Sequence, residues 1–125
     1  MRAVIITQPG DPGVLEIHEI KEPMPGPGEV QVQVKCTALN RADLLQRRGL
    51  HPAPAGTIMN VPGLEMAGVV SSLGPGVTSF SVGQAVFGLL SGGGYSEFIV
   101  THERMLMPMP DNLNFQEAAS IPEVF

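Results

Sequence analysis

Along the chain, apolar and polar positions alternate in short runs that Gly and Pro interrupt. The cleanest run is "EVQVQVKC", in which Val30, Val32, Val34 and Cys36 fall on one face and Gln31, Gln33 and Lys35 on the other. A period of two predicts a half-buried antiparallel strand, with Cys36 as a small core residue. "RAVIIT" and "VLEIHEI" predict two more strands, separated by the turn signal "QPGDPG". Further on, "MAGVVSSLG", "GQAVFGLL" and "YSEFIVTH" read as strands, the last two joined by the turn "SGGG". "RMLMPMP" reads as an edge strand, demoted by its prolines.

Two segments break this period. "ALNRADLLQRRG" predicts a short helix through Leu44 and Leu45, capped by Asn40 or Asp43 and stopped at Gly49. In "DNLNFQEAAS", Asn114 followed three residues later by Glu117 marks a second helix start, which Pro122 interrupts. Between the two lies "LHPAPAGTIMNVPG", a Pro/Gly-rich loop of the long kind that often carries function. The pattern predicts a mainly β domain, a partly closed sheet with short helices on one side.

Composition narrows the classes. The 125 residues fit one domain with a real core, and the high Gly (15) and Pro (12) suit many turns. A net charge of −5 argues against nucleic acid or an anionic membrane surface as partner, and the Arg47-Arg48 pair reads as a solvated helix face. With a single cysteine, neither an intramolecular disulfide nor a cysteine-rich zinc lobe can form. His18, His51 and His102 show no paired spacing. No apolar run approaches the ~18 residues of a membrane span, and the N-terminus lacks a secretory pattern, so the expectation is a soluble, cytoplasmic protein.

One residue stands out against this background. "VPGLEMAGVV" carries a single charge, Glu65, in an otherwise apolar run. Burying an unpaired carboxylate costs several kcal/mol, roughly, so Glu65 is exposed, paired or working.

The longer stretch "GLEMAGVVSSLGPGVTSFSVGQAV" resembles the signature of the medium-chain dehydrogenase/reductase superfamily. Gly63, Glu65, Gly68, Val70, Gly74, Val77, Gly83 and Val86 fit its spacing, and Gln84 stands where Asp is usual. "NRADLLQRRG" and "AASIPE" resemble the zinc-independent quinone oxidoreductase branch, the zeta-crystallin-like proteins, and within it the tumour-suppressor-inducible type. The resemblance covers essentially all 125 residues. It implies that 1–125 is a GroES-like catalytic domain, a partly open β-barrel. Residues 113–125 would then begin the linker to a Rossmann domain that this sequence does not contain. "SGGG" is no dinucleotide fingerprint, because it joins two strands rather than opening a helix.

The same resemblance implies NADPH as cofactor, held mostly by the missing domain, and a small-molecule quinone or enone as substrate. Metal-bearing relatives place Cys and His where this chain has Asn40 and Leu64, so no zinc is expected. Glu65 is then expected to be a buried carboxylate supporting the cleft, bonded to backbone N–H groups or an arginine. The resemblance puts Asn40 and Asp43 at the cleft floor, Asn40 toward the cofactor; the competing reading is that both merely cap the helix. Arg41 either reaches a cofactor phosphate or is solvated. His51 stands in the loop where relatives carry Tyr; it either meets the substrate ring or has no role. Tyr95 is expected in the core or at the barrel rim, and Met59, Met66, Met105, Met107 and Met109 are assigned no function.

The resulting expectation is hydride transfer from NADPH to a quinone, in a full-length form that is a homodimer, with the isolated chain inactive. The alternatives are an enone or enoyl-thioester reductase of the same superfamily, or a non-catalytic GroES-like interaction module built around an apolar loop at residues 58–61.

Overall fold

The computed structural model describes residues 1–55 and 60–125. Gly56, Thr57, Ile58 and Met59 lie outside it, and with them half of the apolar loop at 58–61 and one of the methionines named above. Seven strands and two short helices are formed among the described residues. β1 (Arg2–Ile6) and β2 (Leu15–Glu19) make an antiparallel ribbon. β3 (Glu29–Thr37), β4 (Glu65–Leu73), β5 (Ala85–Leu89), β6 (Phe98–His102) and β7 (Leu106–Pro108) make an antiparallel sheet in the order β6-β3-β4-β5-β7. β7 is the three-residue edge strand, as the prolines of its segment predict. No ladder joins β6 to β7 among the described residues, so the sheet does not close on itself.

The predicted strand "YSEFIVTH" divides between the two sheets. Only Phe98–His102 pairs with β3. Residues 95–97 bond to β1, with the Val4 N–H donating to the Tyr95 carbonyl at 2.8 Å and the Glu97 N–H to the Arg2 carbonyl at 3.2 Å, while the Glu97 carbonyl still accepts the Val34 N–H of β3 at 2.9 Å. That crossing holds the ribbon against the sheet.

The core lies on the two faces of β4. Met66 and Val70 pack with Val30, Val32, Phe80, Val86, Leu90, Ile99 and Leu106 on one face. On the other, Ala67 and Phe87 pack with Ala118 and Ala119 of α2 (Phe115–Ala119), whose N-cap Asn114 accepts the Glu117 N–H at 2.8 Å. The signature residues serve this packing. Val70 and Val86 are buried, and a Cβ on Gly68 or Gly74 would overlap the carbonyl oxygen of Gln33 or Gly26.

Three expectations need correction. β3 carries register shifts between Gln31 and Val32 and between Val34 and Cys36. At the first the extra residue is Ser71 of β4; at the second it is Lys35 of β3, and an extra residue reverses the faces of its own strand beyond it. Val34 therefore packs on the first cluster, whereas Cys36, opposite Ala67, packs on the second with α2. Gln31, on the supposed polar face, is buried. Its Nε2 donates to the Pro23 carbonyl at 2.8 Å and its Oε1 accepts from the Ser71 hydroxyl at 2.8 Å. Arg47 is not solvated either: it is 9% exposed and its Nε donates to the Gly10 carbonyl at 3.1 Å, while Arg48 is exposed. No helix among the described residues is long and apolar enough to cross a membrane.

Candidate functional site

α1 (Arg41–Arg47) starts where β3 ends, with Asn40 as its N-cap in extended backbone conformation. Both residues proposed to cap it take part, and each does more. The Asp43 N–H donates to the Asn40 carbonyl at 3.0 Å, and Asp43 Oδ2 accepts the Asn40 N–H at 2.9 Å. The same Oδ2 accepts the Tyr95 hydroxyl at 2.7 Å, and Oδ1 accepts the Gly63 N–H at 3.3 Å. Asp43 is 5% exposed, so this carboxylate is a buried hub that joins α1, the turn before β4 and the segment after the "SGGG" turn. Gly63 fits that turn because its φ of 111° is open to glycine, and a Cβ there would meet the Gly94 backbone at 2.6 Å.

Glu65 is 1% exposed and paired. Its Oε1 accepts from Asn40 Nδ2 at 2.8 Å and its Oε2 from the Glu123 N–H at 2.9 Å. One predicted partner type, a backbone N–H, is present; no arginine contacts it among the described residues. Two buried carboxylates thus flank Asn40, and the hydrogen bonds described for both come from neutral donors. Such bonds to an ionised acceptor are short and strong, which offsets the desolvation of each carboxylate.

Tyr95 lines a largely apolar hollow of about 450 Å3, together with Val4, Ile17, Val34, Cys36 and Leu39. Burial, followed by the hydrogen bond to Asp43 and that residue's charge, pushes the phenol far above its ordinary value of 10.0. Tyr95 is therefore a fixed donor, at the boundary of the hollow and the polar network. Sequence placed it in core or rim but gave no sign of Asp43, 52 positions away, because such a pair leaves no local pattern.

The remaining candidates are separate. Arg41 is exposed and makes no ion pair among the described residues. His51 is exposed at a second hollow of about 320 Å3 with Pro9, Gln46, Gly49 and Asn60. Neither Asn40 nor Asp43 lines that hollow. His18 and His102 are exposed, the first beside Glu16. Met66 is core, and Met105 and Met107 are surface residues.

The donor set does not fit a metal. No three His, Cys, Asp or Glu side chains converge among the described residues. Asn40, where the resemblance puts a ligand of metal-bearing relatives, has its amide nitrogen turned to Glu65. The described residues offer no pyrophosphate site of the dinucleotide-binding kind at the "SGGG" turn. The turn at Gly92 and Gly93 leads into extended chain bonded to β1, not into a helix that could receive a pyrophosphate. Asn40, half-buried and with a second N–H on its amide nitrogen, can meet a carboxamide or a ribose.

This antiparallel domain, with its signature glycines and buried glutamate, is of a defined class. Residues 26–111 match the alcohol dehydrogenase GroES-like domain, and the chain belongs to that family, a domain of the medium-chain dehydrogenase/reductase superfamily of oxidoreductases. Over 117 residues it is 41% identical to the pikromycin polyketide synthase component PikAII of Streptomyces venezuelae, covering 94% of this chain and 3% of that protein. Among solved structures, a quinone oxidoreductase of Pseudomonas syringae superposes with a TM-score of 0.86 at 37% identity, over 97% of this chain and 37% of that one. The CurK enoyl reductase gives a TM-score of 0.88 at 29% identity, over 98% and 39%. A mycobacterial protein complexed with NADPH gives 0.83 at 32%, over 95% and 37%. The chain thus spans well under half the length of each of these proteins.

Proposed function

We propose that this chain is the substrate-side domain of an NADPH-dependent, zinc-independent quinone oxidoreductase whose cofactor is held mainly by a second, dinucleotide-binding domain. The observation that carries the reading is Asn40 at the ligand position, its amide engaged by a buried Glu65 rather than by a metal-binding set. Likeness to a quinone oxidoreductase and to a protein complexed with NADPH supports it.

NADPH, when bound, supplies the hydride. This chain's own residues position. Asn40 would hold the nicotinamide end through its remaining N–H, and Arg41, exposed one residue on, is free to meet a phosphate. Asp43 and Glu65 already accept hydrogen bonds on both oxygens, and the Tyr95 proton is committed to Asp43. None of the three is poised to take or give a proton. That suits a quinone, whose reduced oxygen can take its proton from water.

A second reading, an enoyl-thioester reductase, is favoured by the likeness to CurK. The native gene product carrying this domain separates the two: kcat/KM with NADPH is compared for a benzoquinone and for an enoyl thioester. A higher value for the quinone supports the first reading and a higher value for the thioester the second. A native product of only 13.2 kDa that consumes no NADPH would refute both, and leave an interaction module.

A further inference from the structure

We propose that Glu65 is a positioning residue with two tasks: it sets which way the Asn40 amide points, and it pins the segment that follows α2. This goes beyond the reductase reading and does not depend on it.

An amide side chain has two nearly isosteric ends, one a donor and one an acceptor, so its direction is decided by its partners. An ionised carboxylate only accepts. With Glu65 Oε1 at 2.8 Å from Asn40 Nδ2, the NH2 end must face inward and the carbonyl end must turn away. The other oxygen is used as fully. Glu65 Oε2 accepts the N–H of Glu123, 58 positions along the chain. Two residues before it, Ile121 packs against the cluster of Ala67, Phe87, Ala118 and Ala119, whereas Glu123 itself is exposed. The bond to Glu65, which is 1% exposed, is therefore a second buried tie on this stretch, beside the local turn bond from the Phe125 N–H to the Ile121 carbonyl at 3.0 Å. One carboxylate thus links the N-cap of α1 to the path of the chain beyond α2.

Two variants of the whole chain test this by nuclear magnetic resonance. Glu65→Leu removes both acceptors at similar volume. Exchange of the Glu123 amide hydrogen is expected to accelerate by about tenfold more than that of Val70 in β4, which reports the sheet as a whole. Glu65→Gln has one acceptor and one donor, and can keep both contacts only if Asn40 turns over. Its Oε1 then accepts from Glu123 and its Nε2 donates to Asn40 Oδ1. The expected signature is a protected Glu123 amide together with Asn40 side-chain NH2 resonances that move and lose protection. Equal acceleration of Glu123 and Val70 in Glu65→Leu would overturn the tie. Unmoved Asn40 resonances in Glu65→Gln would overturn the amide assignment, and that variant decides alone if Glu65→Leu does not fold.

Discussion

Replacing Asp43 by alanine should be among the most damaging single changes in the polar network. The carboxylate is 5% exposed and receives the Asn40 N–H, the Tyr95 hydroxyl and the Gly63 N–H. A hydrogen bond to a charged group contributes about 1.5–3 kcal/mol, and loss of a helix cap costs about 1 kcal/mol. The Gly63 contact is long at 3.3 Å and adds little. Removing a buried charge returns part of its desolvation cost, so Asp43→Ala should destabilise the fold by about 3 kcal/mol. Tyr95→Phe removes only the donor and should cost about 1.5 kcal/mol, the low end of that range. Urea unfolding followed by far-ultraviolet circular dichroism measures both, and the double variant closes the cycle. A coupling energy of about 1–1.5 kcal/mol is expected. A loss below about 1 kcal/mol for Asp43→Ala, or strictly additive losses, would refute the hub assignment.

Other consequences are equally direct. Tyr95 is the only tyrosine and there is no tryptophan, so phenolate absorbance reports it alone. Its raised value, set first by burial and then by the bond to Asp43, contributes stability that is fully present below 10.0 and is lost progressively as pH rises from there through the folded value. No phenolate should appear before the chain unfolds in base, whereas Asp43→Ala should allow earlier ionisation. Glu97 is held below its usual 4.5 first by the Arg2 backbone N–H and then by the Arg2 side chain. Its contribution is present above 4.5 and lost as pH falls through the lower folded value. Arg2→Ala should therefore raise the Glu97 midpoint only in part, as read by NMR titration, since the backbone donor remains. Gly68→Ala should prevent folding or cost more than about 4 kcal/mol, whereas Gly13→Ala, with nothing within 4 Å of the added methyl, should be nearly neutral in the same urea assay.

What could be read from sequence divides along physical lines. Strands with a buried face wrote themselves into alternation, and the Asn40, Gly49 and Asn114 signals fixed both helices because caps are local chemistry. Glu65 was legible because a lone charge in an apolar run has few options. What failed was non-local. The extra residue of β3 between Val34 and Cys36 moved Cys36 to the other face of the sheet, and no composition rule marks a bulge. Arg47 looked solvated until Gly10 was seen to lie against it, and Asp43 looked like a cap until Tyr95 and Gly63 closed on it. The position of His51, at a hollow that Asn40 and Asp43 do not line, likewise depends on how distant segments meet.

The central claim is that this domain serves hydride transfer from a nicotinamide without a metal. The most direct measurement is NADPH consumption with a benzoquinone by the native gene product, before and after treatment with a strong zinc chelator. The account predicts quinone-dependent consumption that the chelator leaves unchanged. Consumption that the chelator abolishes and zinc restores, or no consumption at all, would contradict it.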